Sequence, residues 1–172
     1  MSEHKRVTIP IRVEPGTDLP AAERSAVLEA VETNRGLEGS LLPILHAIQD
    51  RIGWIPPRTV PLIAHELNLS RAEVHGVLTF YHYFRQHQPG RHVIYLCRAE
   101  ACQAVGATNL EAHAKRALGT EFHGTSGDGR YTLEPVYCLG NCASGPSLMI
   151  DRELHGRVTP ERFDELITAT GS

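Results

Sequence analysis

At 172 residues, with 41% hydrophobic side chains and a formal charge of −3, the chain suits one domain or two small ones and is apolar enough to bury a core. A balance this close to neutral leaves no basic footprint for nucleic acid. No apolar run approaches the length of a membrane span, and MSEHKRVTIPIRVEPG lacks an apolar stretch ahead of a small-residue cleavage site, so a cytoplasmic protein without membrane insertion is expected.

Residues 1–38 read as an arm followed by one helix. The arm, VTIPIRVEPGTDLP, alternates but carries three prolines, which confines it to a sheet edge at best. AAERSAVLEAVETN then has a helical pattern, with Gly36 as its stop. Residues 39–88 are expected to form a helical bundle. Ser40 is placed to cap a helix whose Leu41, Leu42, Leu45, Ile48 and Ile52 share one face, and Gly53 ends it. PPRTVPLIAHELN makes a short second helix. Ser70, with Glu73 three residues on, is a capping box for a third that runs into GVLTFYHYF. Helices this short draw their stability from packing, so they must cover one another.

After QPGR the pattern changes, and residues 89–172 read as strands and helices mixed. HVIYLC is a strand of β-branched and aromatic residues. ATNLEAHAKRALG is an amphipathic helix closed by Gly119. FHGTSGDGRYTLEPVYC has strand-like flanks about an Asp128-Gly129 turn, and SLMID and LHGRV flank Arg152-Glu153 as a second, weaker hairpin. Thr159 caps a last helix with Pro160 in its first position and Phe163, Leu166 and Ile167 as its buried stripe. Strand, helix, strands, helix gives an α/β sandwich, and with the helical bundle before it the fold class is α+β.

The chain's four cysteines, Cys97, Cys102, Cys138 and Cys142, follow the pattern C-x4-C, 35 residues, C-x3-C. Each pair is expected to begin where a strand ends, with Cys102 opening the helix that follows, so that two loops at one end of a sheet aim four sulfurs at one place. In a reducing compartment such pairs hold metal more often than they form disulfides. A tetrahedral zinc ion takes four thiolates. So does a [2Fe–2S] cluster, with two thiolates on each iron, and its two centres suit the looser spacings better. A thioredoxin-type redox site would need C-x-x-C, and a Rieske centre would need two histidines paired with the cysteines; neither pattern is present. Zinc and iron–sulfur both stay open on spacing alone.

The spacing together with CLGNCASGP, GDGRYTLEPVYCLGNC and the helix HGVLTFYHYF resembles the thioredoxin-like [2Fe–2S] ferredoxin family over about residues 40–170. That family includes the small iron–sulfur subunit in the NADH-oxidising module of respiratory complex I. Within it, LCRAEACQAVG and EPVYCLGNCASGP look closest to the gamma subunit of NAD-dependent molybdenum formate dehydrogenases. Complex I subunits usually carry a Thr-rich loop between the first two cysteines, where this chain has RAEA. NAD-linked hydrogenases contain a similar subunit. The resemblance implies a thioredoxin-like domain over residues 89–172 and one [2Fe–2S] cluster held by Cys97, Cys102, Cys138 and Cys142. It implies an electron-transfer subunit working beside a flavoprotein that binds FMN and NAD. In the formate dehydrogenase reading, a further partner carries the molybdenum cofactor. It also implies that a proline in the place of Pro146 is often cis.

Four residues beside the ligands are candidates for tuning such a cluster. A cation at Arg98 would favour the more negative reduced state, and main-chain N–H groups of Gly140, Asn141 and Ala143 are placed to bond sulfur. Gly140 also permits a positive φ in the turn between the second pair, and Gly145 permits a close approach of the backbone to the site. No catalytic residue is expected: there is no G-x-G-x-x-G fingerprint and no P-loop, so the chain has no recognisable dinucleotide seat of its own. A helix-turn-helix regulator is a competing reading of residues 58–84, but Val74, Val77, Leu78, Phe80 and Tyr81 with Arg71 as the only base make a face for protein rather than phosphate.

Overall fold

The computed structural model describes residues 15–170, so most of the proline-rich arm lies outside the described residues. The chain divides between Gln88 and Pro89 into two compact units.

In the first unit, α1 (Ala21–Asn34) buries Ala26, Val27, Ala30 and Val31, and α2 (Leu41–Ile52) buries Ile44, Leu45 and Ile48. A 3₁₀ turn at Pro57–Thr59 leads into α3 (Val60–Glu66), and α4 (Arg71–Phe80) follows. All four helices contribute to one core, which also takes Ile55, Ile63, Val74, Leu78 and Phe84. The capping box on α4 is formed: Glu73 N–H donates to Ser70 Oγ at 3.2 Å and Ser70 N–H to Glu73 Oε2 at 2.8 Å. Gly53 closes α2 in the left-handed region at φ 88°, with its N–H on the Gln49 carbonyl.

Three boundaries differ from expectation. Ser40 is already helical, and its carbonyl takes the Ile44 N–H while its hydroxyl caps nothing. Helix α1 stops at Asn34 without a left-handed residue, so Gly36 is not its terminator. Helix α4 ends at Phe80, and the next residues leave the helix because they are held from elsewhere. The buried Gln49 side chain donates to the Tyr83 carbonyl at 3.0 Å and accepts the Arg85 N–H at 2.7 Å. Ile55 N–H reaches the Arg85 carbonyl at 2.8 Å, and Phe84 enters the core.

The second unit is built on a five-stranded sheet of order β2-β3-β1-β4-β5, with β1 (His92–Cys97), β2 (Gly124–Thr125), β3 (Tyr131–Val136), β4 (Leu148–Ile150) and β5 (Glu153–His155). β1 and β3 run parallel, in a register that pairs His92 with Tyr131 and Cys97 with Val136; the other pairings are antiparallel. α5 (Glu100–Ala104) and α6 (Ala107–Leu118) follow β1, and α7 (Pro160–Thr170) follows β5. Ile94, Leu96, Leu133 and Leu148 from the strands share a core with Leu110 and Ala114 of α6 and with Phe163 and Leu166 of α7. Thr159 Oγ1 accepts the Arg162 N–H and so caps α7. The first hairpin turns where Asp128 and Gly129 stand, with the Asp128 carboxylate taking the Ser126 hydroxyl and the Arg130 N–H. The second turns one residue earlier than expected, at Asp151-Arg152. Asp151 adopts φ 53° there, its carboxylate held by the Val93 N–H and the His92 ring, and Glu153 begins β5.

Candidate metal centre

The parallel pair β1 and β3 explains how the cysteines meet. Cys97 is the last residue of β1, and its N–H donates to the Ser147 carbonyl at 3.1 Å. Arg98 N–H then reaches the Val136 carbonyl at 2.7 Å, so the ladder continues one residue past the strand. Two residues after Val136, Cys138 leaves the same end of the sheet. Cys102 does not open the long amphipathic helix; it lies in α5, a helix of its own, because Gly106 at φ 103° separates it from α6. Cys142 opens a 3₁₀ turn, Cys142–Ser144.

The cysteines come together as two unlike pairs. Cys97 and Cys102 are each 1% exposed and pack with Ala107, with Ala99, Val136 and Leu139 at the margin. Cys138 and Cys142 are exposed, with their sulfurs 3.7 Å apart. Burial pushes the Cys102 thiol up, and its hydrogen bond to Cys97 pushes the same way, while the Ser147 main-chain N–H acts in the opposite direction. The Cys142 thiol is pushed up by its hydrogen bond to Cys138 and by the charge there, with a smaller contribution from Cys97. The Cys102 thiol feels Cys142 of the exposed pair, and the Cys142 thiol feels Cys97 of the buried one.

Cys97 and Cys102 are buried and Cys138 and Cys142 exposed, and the backbone around them is shaped by two glycines. Gly140, at φ 77°, turns the chain so that its N–H donates to Cys138 Sγ at 3.3 Å. A Cβ at Gly145 would lie 3.4 Å from Cys102 Sγ and 2.9 Å from Val105 Cγ2, so this backbone lies against Cys102 and a side chain here would have to displace Val105. The Gly145–Pro146 peptide is cis.

The other tuning candidates do different work. Asn141 donates through Nδ2 to Ser147 Oγ at 3.2 Å, and its carbonyl takes the Ser144 N–H, so it shapes the turn. Among the described residues neither Asn141 nor Ala143 directs an N–H at a sulfur of another cysteine. The guanidinium of Arg98 is bonded to Glu111 at 2.9 Å and lies 5.2 Å from the Phe122 ring centre, so its charge is already balanced. Ser147 was missed in the sequence. It is 1% exposed, anchors Cys97 through its carbonyl and acts on Cys102 through its N–H. Both contacts are main-chain, which no side-chain pattern announces.

The thioredoxin-like [2Fe–2S] ferredoxin family model matches residues 27–171. The chain belongs to that family. Membership implies a [2Fe–2S] cluster, which the two cysteine pairs fit. Among curated proteins, members of the family similar to this one include an NADH-quinone oxidoreductase subunit of Escherichia coli, 35% identical over 150 residues that cover 87% of this chain and 90% of that protein. The HndA subunit of the NADP-reducing hydrogenase of Solidesulfovibrio fructosivorans is 28% identical over 156 residues, 91% of each. The crystal structure of an NAD⁺-reducing [NiFe]-hydrogenase superposes with a TM-score of 0.63 at 23% identity, over 74% of this chain and 22% of that one, a likeness of fold. Among the described residues no helix is long and apolar enough to cross a membrane.

Proposed function

We propose that Cys97, Cys102, Cys138 and Cys142 ligate one [2Fe–2S] cluster, and that the chain is an electron-transfer subunit beside a flavoprotein that binds FMN and NAD. The observation that carries this reading is the pairing of buried and exposed thiols at one end of a parallel strand pair. Bound there, the cluster supplies a one-electron store. The chain supplies the position: β1 and β3 fix where the pairs begin, Gly145 closes the buried side, and the Gly140 N–H at Cys138 favours the more negative charge state. The exposed pair leaves that side of the site near the surface, where a partner's cofactor can approach.

For the parent complex we favour a cytoplasmic NAD-dependent formate dehydrogenase with a molybdenum-containing catalytic subunit. The support is the motif resemblance in LCRAEACQAVG and EPVYCLGNCASGP. An NADH-quinone oxidoreductase is the second reading, supported by 35% identity along nearly the whole of the Escherichia coli relative.

The purified chain should be red-brown, with about two irons and two sulfides per polypeptide. It should take one electron from dithionite and oxidise neither NADH nor formate. Stoichiometric zinc in anaerobically isolated protein would overturn the cluster. Affinity capture of the native complex followed by metal analysis separates the parents: molybdenum with formate-dependent NAD reduction supports the first reading, and quinone reduction without molybdenum supports the second.

A further inference from the structure

Arg98 follows directly on Cys97, and its polar groups go to three different places. Its N–H bonds to Val136 of β3 at 2.7 Å, on the strand that leads to Cys138. Its carbonyl accepts from Nε2 of Gln103, the neighbour of Cys102, at 2.6 Å. Its Nε donates to Glu111 Oε2 of α6 at 2.9 Å. Glu111 is mostly covered, and its helix is fixed in the core by Leu110 on one side and Ala114 on the other. The other Glu111 oxygen takes Lys115 Nζ at 3.0 Å, and Lys115 pairs in turn with Glu121 at 2.8 Å. Both cations lie against the Phe122 ring.

We propose that Arg98 and Glu111 form a brace that ties the loop between Cys97 and Cys102 to α6, which makes Arg98 a positioning residue for the cluster rather than a source of charge for it. The proposal rests on the reading that the four cysteines hold a [2Fe–2S] cluster. Two charges of each sign alternate along Arg98, Glu111, Lys115 and Glu121, so the row presents little net field to the site. What it does present is rigidity. The main-chain bonds of Arg98 reach the elements of both cysteine pairs, and its single Nε–H bond to Glu111 is the contact that pins them to a helix packed in the core. Partners of this sort, one step removed from the ligands, hold a metal site in shape, and losing one costs roughly 10–100-fold in retention.

The test compares whole, cluster-loaded protein carrying Arg98→Ala, Glu111→Ala, the pair together, and Glu121→Gln as a control that removes a charge from the same row without touching the loop. Two quantities are measured: the rate at which visible absorption is lost to an iron chelator, and the midpoint potential. The brace requires Arg98→Ala and Glu111→Ala, which removes the acceptor, each to lose the cluster roughly tenfold faster, the double variant to lose it no faster than either, and Glu121→Gln to match the wild type. Charge tuning requires the opposite: a lower potential in Arg98→Ala, a higher one in Glu111→Ala, and unchanged release. That result overturns the brace, as do additive effects in the double variant. If Arg98→Ala does not fold, Glu111→Ala decides alone. Wild-type protein without iron–sulfur absorption overturns the ligand reading and the brace with it; wild-type protein with the cluster and normal release from Glu111→Ala overturns only the brace.

Discussion

A methyl group added at position 145 would sit 2.9 Å from Val105 Cγ2, closer than packing allows, and 3.4 Å from Cys102 Sγ, an ordinary contact. Gly145 has an ordinary φ of −69°, so the objection to a side chain here is space alone. Overpacking costs about 1–3 kcal/mol in a tight core, and with Val105 half exposed the cost here falls near the low end, about 1 kcal/mol. Gly145→Ala should therefore lower the melting temperature slightly and reduce iron and sulfide per chain, because Val105, which must move, directly follows the short helix that carries Cys102. Iron analysis beside calorimetry checks it; a variant with full iron content and an unchanged melting temperature would show that the loop can move aside. Gly140 makes the contrasting case. A Cβ there meets nothing, and the requirement is its φ of 77° and the N–H it turns toward Cys138. Two glycines in one loop thus serve by different physics, although both appear in the sequence simply as glycine.

Elements in the first unit are joined by side chains from distant parts of the chain. Glu23 of α1, 8% exposed, is bonded to Arg58 in the 3₁₀ turn before α3. The Arg58 hydrogen bond holds the Glu23 carboxyl below the usual carboxylate range, against the opposing effect of burial. A lowered pKa in the folded state gives stability that is present in full above the unfolded value of about 4.3 and lost as pH falls through the folded one. Glu23→Gln should accordingly melt below the wild type at neutral pH, with the gap closing progressively below about pH 4.3. A gap that persists undiminished into strong acid would assign the loss to packing instead. Such joints also mark the limit of sequence reading. The α4 capping box, the Gly53 and Gly119 stops and the Thr159 cap were legible because each is complete within a few residues. The end of α4 was not, because Gln49 decides it from 34 residues away. In the sequence Arg98 is a cation beside a ligand, since its partner Glu111 is 13 residues on, across a helix break that Gly106 makes. The cysteines were conspicuous through clustering, whereas Ser147 acts through its main chain and left no trace.

Over the whole molecule, the two units have separate cores: one of mostly helical side chains from Leu19 to Phe84, the other shared by strands and helices from Ile94 to Leu166, with a small third cluster about Cys97 and Cys102. All four cysteines belong to the second unit. Replacing any one of them by alanine should remove the cluster and raise amide exchange through residues 90–170 far more than through 40–86. Equal loss of protection in both halves would mean that the cores unfold as one. The same organisation changes what the 35 residues between Cys102 and Cys138 signify. The number itself is not what brings the sulfurs together; the alignment of Cys97 beside Val136 is. An extra residue in the turn about Asp128 and Gly129 would be absorbed at the tip of the hairpin, far along the chain from either pair. A single extra residue inside Tyr131–Val136 would carry every later side chain to the opposite face of the sheet. Length variation among natural versions of this domain should therefore gather in that turn and stop at Tyr131.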